Sequence, residues 1–272
     1  MKSPGSFSLT VVLPTLNAAY YLREAVASIR YSYPNAFIVV ADSRSTDGTL
    51  EIARELELEV EFFPPGNLYG AVNSVLCRCK TEWVAYLNAD DRIESPLVPS
   101  REVDILYGNQ RFIDDSGTGI YGWRMAEPSA FKALLAGGVM PIYFQGTLIR
   151  REFFNALSGF DTFFRFSADF DFVMRAHMAG ARFRHECRIA GAFRLHEHQL
   201  SQSKGSLMRE EVLASVRRAG VKVPFPARFA ALLFLRLRNI RGLRDRWMAH
   251  RSVGGRGVPK TIEVFVGRAR PK

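Results

Sequence analysis

The chain has 272 residues, of which 47% are hydrophobic and 24% are charged, so it is long enough to bury a core and its composition excludes extensive disorder. The net charge of +10 belongs to one end: residues 205–272 contain 16 Lys and Arg against 4 Asp and Glu, whereas residues 1–204 carry a net charge of −2. Such a basic segment indicates an anionic partner, either membrane phosphate or nucleic acid.

Cysteine usage and apolar runs bear on the cellular compartment. Cys77, Cys79 and Cys187 are too few, and odd in number, for a disulfide framework, and no further Cys or His pair stands at zinc-ligand spacing. We therefore expect reduced thiols in a cytoplasmic protein. Residues 1–14 lack the apolar core of a signal peptide, and no apolar run approaches the roughly 18 residues of a spanning helix.

The first 90 residues alternate strand and helix patterns. Short apolar runs predict strands at residues 8–13, 37–40, 60–63 and 83–87, and helical spacing predicts helices at 18–30, 50–58 and 68–79. This alternation implies right-handed crossovers and a mainly parallel sheet, in which ligands bind beyond the carboxyl ends of the strands. Three of those ends carry polar clusters, at residues 14–17, 42–45 and 88–91, which one crevice would collect.

The middle of the chain is expected to complete the sheet and to build the acceptor side of the crevice. A turn at residues 114–117 separates two apolar runs and predicts a hairpin. Strands are predicted at residues 105–113, 120–123, 144–149 and 189–195, and helices at 152–157 and 170–178.

Two adjacent carboxylates, Asp90 and Asp91, follow the fourth predicted strand. Like charges side by side are costly unless a cation joins them. Magnesium and manganese ions prefer carboxylate oxygens and keep positions open for phosphate, so the pair predicts a divalent metal site. The alternative is a solvated turn that caps the strand.

A second polar segment, Asp42–Thr49, follows the second predicted strand. Asp47 and Thr49 are candidates for the N-cap of the next helix. Asp42 lies at the strand end instead, where a carboxylate is able to accept hydrogen bonds from a nucleobase or a ribose.

Six segments, in this order, resemble the family 2 glycosyltransferases, which use the GT-A fold. The segments are residues 12–17, 42–49, 69–73, 88–91, 159–161 and 168–171, and the resemblance ends near residues 193–196. It implies an α/β, GT-A-type nucleotide-binding fold with a mixed, mainly parallel central sheet. We accordingly expect a glycosyltransferase domain at residues 1–204 and a basic, amphipathic helical extension at residues 205–272.

The resemblance also implies an activity. A sugar would pass from a nucleotide-diphosphate donor to the hydroxyl of a glycan or lipid-linked acceptor, with inversion, in cell-surface polysaccharide or lipid-linked glycan synthesis. Asp169 matches the catalytic base, with Asp171 as the fallback; the alternative for both is an acidic first helical turn. Mn²⁺ or Mg²⁺ would bind Asp90 and Asp91, and His196 is a further candidate ligand.

The resemblance further implies a set of nucleotide-binding positions, most of them at the strand ends. These candidates are Pro14, Thr15, Asn17, Asp42, Arg44, Asn73, Asn88 and Asp90. Two of them depart from the family pattern. Asn88 stands where Asp is usual, which keeps an oxygen ligand but removes a charge. Arg44 replaces a small residue, usually Gly, and would either pair with a phosphate or donor carboxylate or face water.

The basic extension lies outside the resemblance. If residues 228–248 form one helix, an apolar stripe recurs at spacings of three and four and consists of Phe229, Leu233, Leu237, Ile240, Leu243 and Trp247. Arginines lie beside this stripe, as in helices that lie in a membrane interface. We therefore expect a peripheral protein at the inner face of the membrane. The alternative is a helix packed on the catalytic domain or on a second subunit.

Two other functions would fit parts of this sequence. A sugar nucleotidyltransferase uses a similar fold but needs a Gly-rich, Arg-containing phosphate loop after the first strand, and residues 14–17 are not such a loop. A non-catalytic nucleic-acid binder would use the basic extension. Its arginines alternate with aliphatic residues and leave few aromatic side chains for base stacking, so no nucleic acid is expected as a partner.

Overall fold

The computed structural model describes residues 7–197 and 204–245 of the chain. The strands are β1 (Leu9–Thr15), β2 (Phe37–Asp42), β3 (Glu59–Phe62), β4 (Trp83–Tyr86), β5 (Arg92–Ile93), β6 (Ile105–Ile113), β7 (Gly119–Trp123), β8 (Leu148–Arg150) and β9 (Phe183–Arg194). The helices are α1 (Ala19–Ser32), α2 (Thr49–Glu55), α3 (Leu68–Leu76), α4 (Phe131–Ala136), α5 (Arg151–Ala156), α6 (Ala168–Met178), α7 (Gly205–Ala219) and α8 (Phe225–Arg238).

One sheet joins all of the strands in the described residues, in the order β3-β2-β1-β4-β8-β6-β9-β5, with β7 beside β6. Strands β1 to β4 pair in parallel, as do β6 and β9, whereas β8 is antiparallel to both of its neighbours. Thr15 is opposite Asp42, and Val12 is opposite Tyr86, so β1, β2 and β4 end at one edge. The predicted α/β class with a mixed, mainly parallel sheet is therefore confirmed.

Hydrophobic layers cover both faces of this sheet. Val11 and Leu13 of β1 pack into the layer closed by α1, whereas Val12 packs into the opposite layer, because successive strand residues point to opposite faces. Burial on both faces is typical of parallel strands joined by crossover helices. The second layer includes residues of α3 and α6, the helices that carry part of the candidate site.

Two of the predicted strands have other boundaries in the structure. The strand expected at residues 144–149 is limited to β8, because Gly146 has a φ of +79° and lies so close to Ala190 that a Cβ would stand 2.6 Å from its carbonyl oxygen. The strand expected at residues 189–195 begins already at Phe183 and follows β6 along its length. Its first half is polar and partly exposed, so it has no apolar alternation to reveal it.

Helices α7 and α8 both pack on the preceding part of the chain. Val212 of α7 and Leu235 of α8 are buried in the same hydrophobic cluster as Phe160 and Phe172. The predicted boundary at residue 204 therefore does not separate two hydrophobic cores among the described residues. The described part of the extension, residues 204–245, is mostly helical, and its two longer helices contribute to the hydrophobic core.

The expectation of one continuous helix over residues 228–248 is wrong. Helix α8 begins at Phe225 and ends at Arg238, and a second helical segment covers residues 240–245. Asn239 interrupts them because its buried side chain bonds the backbone of Arg124, accepting from the nitrogen at 2.6 Å and donating to the oxygen at 2.9 Å. Trp247, the last member of the predicted stripe, lies outside the described residues. In the described part of the chain, no helix combines the length and hydropathy needed to cross a bilayer.

Candidate active site

The ends of β1 and β2 are joined through the carboxylate of Asp42, which is fully buried. It accepts hydrogen bonds from Thr15 Oγ1 at 2.8 Å, from the Ser45 nitrogen at 2.8 Å and from Ser45 Oγ at 2.6 Å. Pro14, just before Thr15, is half-buried. The structure thus brings the predicted nucleotide-binding residues of the two strands together, with Asp42 held rigidly. A contact of Asp42 with the nucleotide stays a prediction.

The loops after β1 and β2 are also joined. The Asn17 nitrogen donates to Ser45 Oγ, and Asn17 Oδ1 accepts from the Thr46 nitrogen, both at 2.8 Å. Asn17 and Arg44 have φ values of 55° and 65°, in the left-handed region. A position with positive φ suits glycine, which explains why a small residue is usual where Arg44 stands. The Arg44 side chain is exposed beside the loop.

The two adjacent carboxylates have different environments. Asp91 is buried and accepts hydrogen bonds from the Arg194 nitrogen at 2.8 Å, Gln145 Nε2 at 2.6 Å and Asn88 Nδ2 at 3.3 Å. Burial raises the pKa of Asp91 well above its usual value, and the charge of Asp90 raises it further. Three of the roughly four acceptor positions of the Asp91 carboxylate are thus occupied, and the group is buried. This geometry favours its more exposed neighbour Asp90 as a metal ligand, and a role of Asp91 as a ligand stays a prediction.

Asp90 is the reachable member of the pair. Its side chain is 26% exposed, and its Oδ2 atom lies 2.9 Å from His196 Nε2. The His196 ring lies against Tyr21, with 5.3 Å between ring centroids. The structure thus places His196 beside Asp90, although the two are far apart in the chain.

The oxygen and nitrogen atoms near Asp90 fit a divalent ion. Asn88 Oδ1 is buried and has no hydrogen-bond partner within the described residues, so it is an acceptor that a ligand would satisfy. A carboxylate, an amide oxygen and an imidazole together suit manganese or magnesium better than a soft metal. No group of three or more His, Cys, Asp or Glu in residues 7–197 and 204–245 forms a complete metal cage. A metal here would therefore share its remaining coordination positions with donor oxygens.

Asp169 lies in the first turn of α6, and Oδ1 accepts from the nitrogen of Phe170 at 2.8 Å. Burial raises the pKa of Asp169 to about 6, against the lowering effect of the hydrogen bond from Phe170 and of the neighbouring Tyr69 hydroxyl. A carboxylate of that pKa is ionised at neutral pH and still basic enough to accept a proton, as a general base must. Asp169 therefore has the properties that the sequence prediction requires.

Two tyrosines connect Asp169 to the strand that precedes the acidic pair. Tyr69 lies beside Asp169 and affects its pKa, and Tyr86, at the end of β4, lies beside Tyr69 and interacts electrostatically with Asp169. The two tyrosine rings have centroids 6.4 Å apart. Because Asn88 and Asp90 follow β4 directly, this pair of tyrosines places the candidate base near the strand end that carries the candidate metal ligands.

Asp171, the fallback base, is held in a structural network. It is buried, and it accepts hydrogen bonds from Arg175 Nε at 2.6 Å and Ser215 Oγ at 2.9 Å. Arg175 also donates to the carbonyl oxygens of Leu157 and Gly159. Both oxygens of Asp171 thus have protein partners that tie α6 to its surroundings. The geometry favours Asp169 over Asp171 as the base.

Asn73, a member of the predicted nucleotide-binding set, is bonded to the backbone of Phe160. Its Nδ2 atom donates to the Phe160 carbonyl at 2.7 Å, and its Oδ1 atom accepts from the Phe160 nitrogen at 2.9 Å. Gly159 allows this approach, because a Cβ there would stand 2.5 Å from Asn73 Oδ1. Both ends of the amide bond this backbone, so a nucleotide contact of Asn73 would compete with these two bonds and stays a prediction.

Arg194 is a site residue that the sequence prediction missed. Its guanidinium donates to the carbonyl oxygens of Asp90 at 2.7 Å and Asp115 at 2.8 Å, and it forms an ion pair with Glu24. Together with its backbone bond to Asp91, these contacts fix the acidic segment to β9. The sequence pattern that could have identified Arg194 is an arginine at the end of an otherwise apolar strand, because a charge is rarely buried unless it is paired.

The sequence matches a known family over more than half of its length. Residues 10–157 match the family described as Glycosyl transferase family 2. Among curated proteins, an uncharacterized glycosyltransferase of Haemophilus influenzae is 25% identical over 158 residues, which are 53% of this chain and 62% of that protein. The succinoglycan biosynthesis protein ExoA of Rhizobium meliloti is 26% identical over 213 residues, which are 78% of this chain and 52% of ExoA. The chain thus spans less than two thirds of these relatives.

Solved structures share the fold. S. aureus TarS 1–349 in complex with UDP has a TM-score of 0.56 at 17% identity, covering 86% of this chain and 72% of TarS 1–349. The mannosyltransferase PcManGT of Pyrobaculum calidifontis, in complex with GDP-Man and Mn²⁺, has the same TM-score and identity and covers 95% of this chain and 78% of its own. These similarities confirm the GT-A-type fold.

Proposed function

The chain belongs to glycosyl transferase family 2. From that premise we propose that it is a glycosyltransferase, which moves a sugar from a nucleotide-diphosphate donor to an acceptor hydroxyl with Asp169 as general base. The observation that carries the proposal is the setting of Asp169 in the first turn of α6. Its carboxylate accepts a hydrogen bond from the Phe170 nitrogen and lies beside Tyr69, and its pKa is raised by burial to about 6. Neither alternative function needs a base at this place.

The proposed reaction is an in-line displacement. The acceptor oxygen attacks the anomeric carbon of the donor as its hydroxyl proton passes to Asp169, and the bond to the diphosphate breaks with the electron pair going to the leaving oxygen. A single displacement inverts the anomeric centre. At neutral pH the carboxylate is in the form that this step requires, because its pKa lies near 6.

For the donor, we assign the diphosphate to the segment after β4. Asp90, His196 and Asn88 would hold a Mn²⁺ or Mg²⁺ ion, which when bound stabilises negative charge on the leaving diphosphate. Both PcManGT and the glucosyl-3-phosphoglycerate synthase of Mycobacterium tuberculosis are described in complexes with Mn²⁺, the latter also with UDP. Asp91 and Arg194 act on this group indirectly, by holding the segment in place.

The nucleoside is assigned to the ends of β1 and β2. Thr15, which follows Pro14, is hydrogen-bonded to Asp42 there, and Asn17 is hydrogen-bonded to the loop that follows β2. Arg44 is exposed in that loop, where its charge suits a phosphate or a donor carboxylate.

We further propose that the protein works at an anionic membrane, through the face of α8 that points away from the core. That face exposes Phe225 by 68%, Phe229 by 55%, Leu233 by 44%, Phe234 by 57% and Leu237 by 57%. Arg236, and Arg241 just beyond the helix, lie beside it. An apolar face with adjacent arginines suits the headgroup region of the inner leaflet, and such a place suits a lipid-linked or polysaccharide acceptor. ExoA, a similar protein, is named for succinoglycan biosynthesis.

The proposed donor class is tested by thermal shift with a panel of UDP- and GDP-sugars, with and without Mn²⁺. A bound donor stabilises the folded state by mass action, by about 2.7 kcal/mol at a concentration 100 times the Kd. We expect one nucleotide series to raise the melting temperature in the presence of Mn²⁺. If no nucleotide sugar raises it, with or without metal, the proposed donor class is wrong.

A further inference from the structure

Glu211 connects the C-terminal extension to the helix that carries the proposed base. It lies in α7, outside the part of the sequence that resembles the family. Its two oxygens accept hydrogen bonds from the backbone nitrogens of Arg165, Phe166 and Ser167, each at 2.9 Å. These three residues lead directly into α6, which begins at Ala168. The Glu211 side chain therefore fixes the backbone of the three residues that precede α6.

Helix α6 has no equivalent anchor of its own. The residue at its N-terminal cap, Ser167, makes no capping hydrogen bond with its side chain. Its hydroxyl instead donates to the Met208 carbonyl of α7 at 3.1 Å. Farther along, Ser215 of α7 donates to Asp171 at 2.9 Å. Backbone nitrogens just before a helix need hydrogen-bond partners, and α7 supplies them for the three residues that precede α6.

We propose that Glu211 is a positioning residue for glycosyl transfer, which fixes the start of α6 and thereby the place and the charge environment of Asp169. The proposal rests on the proposed function, since it assumes that Asp169 is the base. It makes α7 part of the catalytic unit, although residues 205–219 look like the beginning of a separate basic segment. A helix that only covered the core would not need three bonds at this point.

Glu211 also affects the pKa of Asp169. Among the described residues, those whose charge or hydroxyl bears on Asp169 include Tyr69 of α3, Tyr86 of β4 and Glu211 of α7. Burial has the largest effect on the pKa of Asp169, and the negative charge of Glu211 raises that pKa further. Removing the Glu211 charge should therefore lower the pKa of Asp169, so that the carboxylate becomes ionised at lower pH but is a weaker base.

The test compares Glu211→Gln with Glu210→Gln in the full-length protein. Both variants lose one negative charge from α7, but Glu210 is exposed and forms none of the three bonds. Asp carboxyl groups are titrated by ¹³C NMR, with the Asp169 signal assigned from its loss in Asp169→Asn. Release of UDP from UDP-glucose, or of GDP from GDP-mannose, is followed against pH with Mn²⁺ present, using the nucleotide sugar that raises the melting temperature.

We expect Glu211→Gln to lower the Asp169 pKa, to move the acid limb of the rate profile to lower pH, and to slow donor hydrolysis about 10- to 100-fold through misplacement of the base. Glu210→Gln should match the wild type in all three. A Glu211→Gln protein that is folded and behaves like Glu210→Gln would overturn the inference alone, provided that Asp169→Asn has lost activity. Full activity of Asp169→Asn would overturn both this inference and the proposed base.

Should Glu211→Gln unfold, the Glu211→Asp variant keeps the charge and shortens the reach. The inference then expects the rate to fall while the Asp169 pKa stays near 6. An unchanged rate in folded Glu211→Asp would contradict it.

Discussion

Nε2 of His196 lies 2.9 Å from Oδ2 of Asp90, so the segment after β9 meets the segment after β4 across 106 residues of chain. Asp91, the next residue, is buried and faces Arg194 and Gln145 instead. The two neighbouring carboxylates therefore differ in what they are able to bind, and their removal should have different consequences.

Replacing Asp90 should weaken metal binding without destabilising the fold. In Asp90→Ala, we expect the Mn²⁺-dependent part of the affinity for UDP or GDP to fall at least tenfold, because the reachable carboxylate ligand is gone. The melting temperature without ligand should change little. Calorimetric titration of the nucleotide with and without Mn²⁺ measures this, and His196→Ala should show a smaller loss. An Asp90→Ala protein with the full metal enhancement would remove Asp90 from the site.

Replacing Asp91 should instead affect stability. Asp91→Ala leaves the Arg194 nitrogen and the Gln145 amide as buried donors without their acceptor, which costs about 1–3 kcal/mol for each unsatisfied group. Thermal unfolding should show a fall in the melting temperature of several degrees. Melting at the wild-type temperature, together with lost metal binding, would show that Asp91 is a ligand after all.

The candidate base should make the protein less stable at neutral pH. The folded-state pKa of Asp169 is about 6, above the usual 3.8, so the ionised form is disfavoured by folding. The stability that the protonated form contributes is fully present below about pH 4 and is lost as the pH rises through 6. Asp169→Asn should therefore stabilise the protein by up to about 3 kcal/mol at pH 8, with the gain vanishing toward pH 4. Chemical unfolding at both pH values checks this; an equal difference at both would contradict the raised pKa.

The exposed face of α8 should carry membrane binding. Phe229→Ser with Leu237→Ser removes two exposed apolar side chains, each worth about 1.5–3 kcal/mol when buried, and should lower binding to anionic vesicles more than tenfold. The melting temperature should not change. Leu235→Ala is the matched control from the buried face of the same helix, and it should lower stability but spare vesicle binding. Co-sedimentation with vesicles of phosphatidylglycerol and phosphatidylcholine measures both.

The proposed membrane contact of α8 is contradicted by one result of this experiment. If the double variant and the wild type sediment alike, the face is not a membrane contact. Truncation near Pro224 would be a poor substitute for these substitutions, because it removes the buried Leu235 and the bonds from Asn239 to Arg124 as well.

The sequence predicted best those features that depend on the spacing of residues within a short stretch of chain. Alternation of apolar strands and helices predicted β1 to β4, and the polar ends of β1, β2 and β4 do meet at one edge. The place of Asp169 in the first turn of α6 could also be predicted from its motif. These features depend on short stretches of chain, in which the spacing of a few residues determines the element.

Features that depend on tertiary partners could not be predicted. Nothing in a motif distinguishes Asp90 from Asp91, because burial of the second depends on Gln145 and Arg194, far along the chain. Asn73 has the side chain of a nucleotide binder, but both ends of its amide are bonded to the Phe160 backbone. Glu211 has no local signal either, because its acceptor role exists only after α7 docks on α6.

The general-base role of Asp169 is the central claim, and the most direct measurement is turnover of the selected nucleotide sugar by Asp169→Asn beside that of Asp171→Asn. The first variant keeps the shape of the side chain but cannot take a proton, and general-base assistance is worth about 10²–10⁴-fold in rate. The second breaks the ion pair with Arg175 and should mainly lower the melting temperature. We expect nucleotide affinity in both variants to stay near that of the wild type, with turnover lost by at least 100-fold only in Asp169→Asn. Near-normal turnover by Asp169→Asn, with the loss in Asp171→Asn or in neither, would contradict the account.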